Sequence, residues 1–172
     1  MVDQLRTKAD EMAIPVVVGN MAEAEMPGDY ALVYLVFNGI SNLLTQAEQV
    51  RCFRNAARHL RPGGRFVIEL WVPELPRLAP AAQAVVGREW PGYMMIDTYD
   101  VVVQHVVSHH FEFGDGKGAR LFRSPHRYVW PSELDLMGQI TGFELESRHA
   151  DWSGTPFTAA ARSQVSVYRL PG

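Results

Sequence analysis

The segment that most constrains the fold covers residues 58–69, where a predicted helix is followed at once by a predicted strand. Pro62 cannot continue a helix because its backbone has no N–H, and Gly63 and Gly64 can adopt the left-handed conformation that ends one. Residues 66–68 are aromatic or β-branched, which is typical of a buried strand. A helix that turns directly into an apolar strand is half of a parallel crossover, so this segment predicts an α/β sheet protein.

The composition of the 172-residue chain is that of one folded domain, with 47% hydrophobic and 20% charged residues. A formal net charge of −3 gives no basic surface for nucleic acid. No apolar run is long enough to cross a membrane, and the polar N-terminus has no signal-peptide core. The single cysteine, Cys52, fits a reducing compartment. The sequence therefore predicts one cytoplasmic domain over residues 1–172, without a nucleic-acid or membrane partner.

The residues before this segment also predict alternating helices and strands. Residues 2–12 have the spacing of an amphipathic helix, and residues 14–18 predict a short strand. Residues 30–37 are a continuous apolar run between turn-forming residues, which predicts a strand buried on both faces. Thr45 and Glu48 are spaced as a capping box, so a helix is expected to begin there. This alternation favours a parallel sheet.

The residues after the first strands have a different character. Residues 73–92 contain four prolines, which predict a loop. Residues 99–113 and 119–130 predict the two strands of an antiparallel hairpin around the glycine-rich residues 114–118. We therefore predict an inserted loop and hairpin over residues 73–130. Residues 163–170 alternate and predict an antiparallel final strand.

Four motifs in chain order resemble those of class I S-adenosylmethionine-dependent methyltransferases of the small-molecule type. They are Gly19-Asn20-Met21 after a strand, residues 29–33 entering a strand, residues 60–64 with the Leu-x-Pro-Gly-Gly pattern, and residues 133–143, a helix that ends in Thr-Gly-Phe. The resemblance implies a Rossmann-like α/β sheet that is mostly parallel, with an antiparallel C-terminal strand between the fifth and sixth strands. It also implies S-adenosylmethionine as cofactor and a small-molecule substrate.

The same resemblance implies a cofactor site. The loop Gly19, Asn20 and Met21 would hold the adenine, with the Asn20 side-chain oxygen accepting a bond where the family usually has an acidic residue. Phe37 and Asn38, at the end of the following strand, would lie beside the methionine moiety, at the carboxyl edge of the sheet. No catalytic residue is assigned.

Two parts of the family pattern have no counterpart in this sequence, namely the glycine-rich loop after the first strand and the acidic residue that ends the second. We therefore expect an N-terminally incomplete sheet whose exposed edge favours a homo-oligomer. The first hypothesis for function is methyl transfer to an oxygen or nitrogen acceptor, impaired by that truncation. The alternative is a non-catalytic remnant or interaction module that retains the second half of the fold. A nucleotide-dependent oxidoreductase is disfavoured because no dinucleotide fingerprint is present.

The histidines of the predicted hairpin raise the question of a metal. His105 and His109 lie about 13 Å apart along one strand, whereas zinc needs each nitrogen about 2.1 Å away, so this pair cannot chelate it. His126 is expected across from residues 105–106. No metal is predicted, and ordinary hairpin histidines are the favoured interpretation. The open alternative is that one of them, His110 included, is a general base for a substrate hydroxyl or amine.

Overall fold

The computed structural model describes residues 5, 7, 14–73, 75, 83–114 and 118–172. The helix predicted over residues 2–12 lies outside the described residues, apart from two positions, as does part of the loop predicted over residues 73–92. The strands are β1 (Tyr30–Leu35), β2 (Leu60–Trp71), β3 (Ala84–Trp90), β4 (Tyr93–Asp100), β5 (His105–Phe113), β6 (Ala119–Arg127), β7 (Glu144–His149) and β8 (Ser163–Arg169). The α-helices are α1 (Gln46–His59) and α2 (Pro131–Ile140), and a 3-10 helix covers Gly39–Asn42.

The strands form two four-stranded sheets, in the orders β1-β2-β8-β7 and β3-β4-β5-β6. In the first sheet β1 and β2 are parallel, and the C-terminal strand β8 is antiparallel to both of its neighbours. The prediction of a mostly parallel sheet is therefore wrong for the described strands, in which β1 with β2 is the one parallel pair. The reason is that β8 separates β7 from β2, although those two strands run in the same direction.

The junction between α1 and β2 is built by local capping and by pairing with distant strands. Thr45 begins α1 with the predicted capping box, since its side chain accepts from the Glu48 amide while the Glu48 carboxylate accepts from the Thr45 amide. Gly63 has a left-handed backbone, with φ of 78°, but the prediction that Gly63 and Gly64 end the helix is wrong, because α1 ends at His59 and Gly63 lies within β2. However, the strand begins earlier than predicted, at Leu60, because Leu60 already pairs with Tyr30.

The core between the first sheet and its helices is centred on the aromatic ring of Phe53. Phe53 is fully buried, and its ring lies edge-on to Phe66 and Tyr168, with ring centroids 5.1 and 5.5 Å apart. Edge-on aromatic pairs of this kind add to the free energy gained by burial alone. The core therefore fixes α1 against β2 and β8, which positions the end of β1 beside them.

The second sheet differs from the hairpin that was predicted. It is a four-stranded antiparallel meander, since β3 forms within the predicted loop and the predicted strand over residues 99–113 is divided by a turn. At that turn Asp100 Oδ1 accepts from the amides of Val102 and Val103 at 3.0 and 3.3 Å. The β-branched valines favoured a continuous strand, but the Asp100 side chain satisfies their amides in a turn instead.

The outer edge of β1 is open in the described part of the chain. Leu32 and Tyr34 are 50% and 61% exposed, so the prediction of a strand buried on both faces is wrong. The reason is that no described strand pairs with β1 on the side away from β2. Residues 14–18, predicted as a strand, are not assigned to one.

A buried ion pair joins the second sheet to the helices of the first. Arg127 at the end of β6 donates to Glu133 Oε1 at 2.7 Å and to Gln49 on α1 at 2.5 Å. Gln104 donates to the other oxygen of Glu133 at 2.8 Å. These bonds satisfy a charge pair that would be costly to bury alone, and they hold one face of the second sheet over the carboxyl ends of β1 and β2.

Candidate functional site

A cavity of about 530 Å³ lies between the carboxyl edge of the first sheet and one face of the second. In α/β sheets this edge is where ligands bind, because loops rather than strands line it. The residues that line the cavity include Phe37, Asn38, Trp71, Gly87, Arg88, Met95, Asp97, Tyr99, Val106, Ser108, His110, Ser124, His126 and Arg162. They come from strands and loops that are far apart in the sequence.

The first wall of the cavity is a strained loop at the end of β1. Phe37 and Asn38 are consecutive non-glycine residues with left-handed backbone, at φ of 55° and 60°. Such backbone costs about 1–3 kcal/mol per residue and persists only where its surroundings fix it. Here the Phe37 amide donates to Glu69 Oε2 at 2.8 Å, and the Trp71 amide donates to Asn38 Oδ1 at 2.8 Å. The result is a Phe37 side chain that is 88% exposed.

The second wall is the inner face of the meander, on which polar side chains lie in register. Asp97 on β4 is opposite Ser108 on β5, and Ser108 is opposite Ser124 on β6. Two pairs further along, and so on the same face, His126 lies opposite Val106, as predicted from the sequence. Because residues directly opposite one another in a sheet share a face, these side chains all point into the cavity.

Asp97 supplies a carboxylate to this wall. Its Oδ1 accepts a bond from the Ser108 hydroxyl at 2.6 Å. Its Oδ2 lies over Gly87, where an added Cβ would be only 2.8 Å away. A side chain at residue 87 would therefore displace the carboxylate, so the glycine leaves room for it. Among the described residues that line the cavity, Asp97 is the one acidic side chain.

His110 is fixed through both of its ring nitrogens. Nδ1 lies 2.6 Å from the Tyr93 hydroxyl, and Nε2 lies 2.8 Å from the Ser124 hydroxyl. The ring also stacks on Phe122, with centroids 4.3 Å apart. Both partners are hydroxyl groups, which can donate or accept, so each ring nitrogen has a hydrogen-bond partner in either tautomer.

His126 has no such partner. Its Nδ1 is buried and has no hydrogen bond among the described residues. Burial lowers the pKa of His126 below its usual value, and nearby His110 lowers it further, while the charge of Asp97 opposes both. A buried N–H without an acceptor disfavours the charged imidazolium. His126 is therefore neutral near pH 7, and it adds no positive charge beside Asp97.

The structure separates the five residues expected to bind a cofactor. Phe37 and Asn38 line the cavity, whereas Gly19, Asn20 and Met21 lie outside its lining. The Asn20 side-chain oxygen accepts from the Ala22 amide at 3.0 Å, which makes it part of a local turn. Met21 instead lines a separate apolar groove beside β1.

The predicted hairpin histidines do not converge. The His105 ring nitrogen meets the Leu44 carbonyl at 2.8 Å, and His109 bonds Thr98 and Arg123 on the other face of the sheet. Among the described residues, no group of three histidine, cysteine or acidic side chains is placed to hold a metal ion. None of the described helices has the length and apolar character needed to span a membrane.

Comparisons with known proteins agree with one another. No family model matches the chain. The cypemycin N-terminal methyltransferase of a Streptomyces species is 25% identical over 169 residues, which are 96% of this chain and 68% of that protein. The solved structure of the CcbJ methyltransferase from Streptomyces caelestis is 36% identical and superimposes with a TM-score of 0.85, covering 99% of this chain and 75% of that one. An S-adenosylmethionine-dependent methyltransferase from Clostridium acetobutylicum is 11% identical at a TM-score of 0.76, covering 99% and 71%, and shows the shared fold alone.

Proposed function

Because the chain belongs to the class I S-adenosylmethionine-dependent methyltransferases, we propose that it methylates a nitrogen or oxygen of a small molecule bound in the cavity between its two sheets. The observation that carries this proposal is the position of the strained Phe37-Asn38 loop at the mouth of that cavity. A nitrogen acceptor is supported by the name of one relative, an N-terminal methyltransferase. A cytoplasmic location remains part of the same proposal.

The residues at the cavity mouth fit the methyl-donating end of the cofactor. A sulfonium carries positive charge, and the exposed ring of Phe37 offers an aromatic face to it. The Phe37 amide is held by the Glu69 carboxylate and the Asn38 side chain by the Trp71 amide, so this loop is set before any ligand arrives. Preorganisation of this kind lowers the cost of binding.

We propose that the adenine end is held by Gly19, Asn20 and Met21. Asn20 is exposed, and its side-chain oxygen has a second lone pair beyond the one that accepts from Ala22. Met21 is half-buried against the core, which leaves part of an apolar side chain available to a planar base. These contacts would hold S-adenosylmethionine along the carboxyl edge of the first sheet.

When bound, S-adenosylmethionine supplies a methyl group on a positively charged sulfur, and transfer leaves a neutral thioether. The chain's own part is to bring the acceptor atom into line with that methyl and to limit access of water. Trp71 and Val106 supply apolar surface to the cavity, while the Asp97 and Ser108 pair supplies polar groups that orient an acceptor. Alignment alone can supply a large share of the rate for such a displacement.

Photolabelling tests the proposed site. The folded full chain is irradiated with radiolabelled S-adenosylmethionine, and the labelled peptide is identified by mass spectrometry. We expect the label on the peptide that carries Phe37 and Asn38, with competition by unlabelled S-adenosylhomocysteine. Label that is confined to peptides of α2 or β7, or that resists the competitor, would contradict the site.

The open edge of β1 supports a second proposal, that two copies of the chain associate there. An edge strand presents unpaired backbone groups, and Leu32 and Tyr34 add exposed apolar surface beside them. Sedimentation velocity on the full chain is expected to show a dimer that the charged substitution Tyr34→Lys converts to monomer. A monomer at every concentration up to about 100 μM would contradict association, since interfaces of useful strength persist there.

A further inference from the structure

We propose that Asp97 binds the methyl acceptor, and that the acceptor group binds there as a protonated amine rather than a neutral hydroxyl. Before transfer the ammonium gives one proton to the Asp97 carboxylate, and the freed nitrogen lone pair then bonds to the methyl carbon as the bond from that carbon to the sulfonium sulfur breaks. The inference rests on the proposed function, since it assigns the acceptor to the same cavity. It goes further by naming the residue that selects the acceptor and the chemical class that it selects. Three features of the cavity lead to it.

The first feature is the Asp97 carboxylate, of which one oxygen has a hydrogen bond within the described chain. One oxygen accepts from Ser108 at 2.6 Å, which fixes the side chain's orientation. The other oxygen, Oδ2, meets no donor among the described residues of the chain. A partly desolvated carboxylate gains most from a charged donor, because charge-assisted hydrogen bonds are about twice as strong as neutral ones. An ammonium group on the ligand supplies such a donor.

The second feature is the space kept open at this oxygen. The backbone of β3 is irregular between Val86 and Arg88, and Gly87 occupies the irregular position. A Cβ there would lie 2.8 Å from Asp97 Oδ2 and 2.6 Å from the Met95 methyl. Any other residue at position 87 would therefore push the carboxylate away from its present place. The glycine therefore leaves room for the second oxygen of a carboxylate whose first oxygen already accepts from Ser108.

The third feature is the charge of the surroundings. The charged and titratable side chains that line the cavity are Arg88, Asp97, Tyr99, His110, His126 and Arg162. Burial of an unpartnered nitrogen disfavours the charged form of His126, and both ring nitrogens of His110 meet hydroxyl groups. Both arginines are exposed, where water and salt screen their charge. Asp97 is half-buried, so its charge is screened less than the charges of the two exposed arginines.

The test compares two probes of similar shape, benzylamine hydrochloride and benzyl alcohol, by NMR titration of the isotope-labelled full chain at pH 7. We expect benzylamine to shift the signals of Ser108 and His126 and to bind about tenfold more tightly than the alcohol. In Asp97→Asn the preference is expected to disappear. The matched control Glu112→Gln removes one carboxylate from the exposed end of β5, outside the cavity, and keeps the preference.

A spectroscopic readout tests the electrostatic part without any ligand. Because the charge of Asp97 raises the pKa of His126, Asp97→Asn is expected to lower that pKa further in a histidine NMR titration. Glu112→Gln is expected to leave it unchanged. If Asp97→Asn does not fold, Ser108→Ala removes the hydroxyl that orients the carboxylate, and it is expected to weaken the preference for the amine.

Equal affinity for the two probes in the wild-type chain, or an unchanged preference in a folded Asp97→Asn chain, would overturn the inference. Photolabelling with S-adenosylmethionine distinguishes a failure of the acceptor assignment from a failure of the proposed methyltransferase function. If the cofactor still labels the Phe37 peptide while the probes bind equally, the acceptor assignment alone is wrong. If labelling fails in the wild-type chain, the proposed function fails as well.

Discussion

The backbone amide of Phe37 donates to the Glu69 carboxylate at 2.8 Å, across the parallel pair of β1 and β2. Glu69 lies two residues before the end of its strand, so its side chain reaches the loop where the strained backbone begins. This bond and the one between the Trp71 amide and Asn38 fix the aromatic side of the cavity mouth. Glu69 does not line the cavity, yet it sets the position of Phe37, which is proposed to contact the cofactor.

Removal of the Glu69 carboxylate is expected to release that loop. Hydrogen bonds to charged groups are worth about 1.5–3 kcal/mol, so Glu69→Ala should lower the free energy of unfolding by about that amount. Glu69→Gln keeps an oxygen that can accept the bond and should cost less. Chemical denaturation measures both variants, and amide exchange at residues 37 and 38 is expected to rise in the alanine variant. Equal stability of Glu69→Ala and the wild-type chain would show that the bond does not hold the loop.

Truncation of the central core ring is expected to be much more costly. Phe53 is fully buried among aromatic partners, and Phe→Ala changes in such places cost about 3–5 kcal/mol because a cavity remains. Urea unfolding of Phe53→Ala should show that loss. The exposed Leu136 on α2 provides a control, since Leu136→Ala should change stability little. A loss below about 1 kcal/mol for Phe53→Ala would contradict the assigned core.

Acid is expected to weaken the joint between the two sheets. Burial, the largest influence, raises the pKa of Glu133, but hydrogen bonds from Gln104, Arg127 and Gln46 outweigh it and hold that pKa below its usual value. A carboxylate with a depressed folded pKa stabilises the fold above its unfolded pKa of about 4.3, and this contribution is lost as pH falls through the folded value. Stability measured from pH 6 to pH 3 should therefore fall less steeply in Glu133→Gln than in the wild-type chain. The same change at the exposed Glu144 is the control, and identical slopes for Glu133→Gln and wild type would refute the assignment.

Cys52 is expected to be inert while the chain is folded. Burial raises the pKa of its thiol to about 12, so the reactive thiolate is scarce at pH 8. Labelling with a thiol reagent should be slower than for a free cysteine by about a thousandfold, and it should become complete in urea. Rapid labelling of the native chain would show that the groove beside β1 opens far more than the structure indicates.

The parts of the fold that the sequence predicted are those specified by neighbouring residues. The capping box at Thr45 depends on a few adjacent positions, and the sequence predicts it correctly. The cavity was not predicted, because Asp97 and Ser108 become neighbours only through the register of β4 with β5. That register depends on the turn after Asp100, which a run of three valines concealed.

For the candidate cofactor residues too, contacts between residues far apart in the sequence could not be predicted. Phe37, the last residue of an apolar run, was assigned to the cofactor site through the family resemblance, and it does lie on the cavity. The role of Glu69 could not be inferred from the sequence. Its hydrogen-bond partner, the Phe37 amide, lies 32 residues away, and the residues next to Glu69 do not indicate that contact. The spacing of Asp97 and Tyr99, two residues apart on one face of a strand, was the available signal for the second wall. This signal did not lead to a prediction of the wall, because residues 73–130 were interpreted as a loop and a single hairpin.

Calorimetric titration of the folded full chain with S-adenosylmethionine tests the central claim most directly. The account predicts saturable binding with one site per chain, weakened at least tenfold by Phe37→Ala, which removes the aromatic face at the cavity mouth. Leu136→Ala, which alters an exposed apolar side chain on α2, should leave the affinity unchanged. Absence of binding to a chain that remains folded, or binding that is unaffected by the loss of Phe37, would contradict the account.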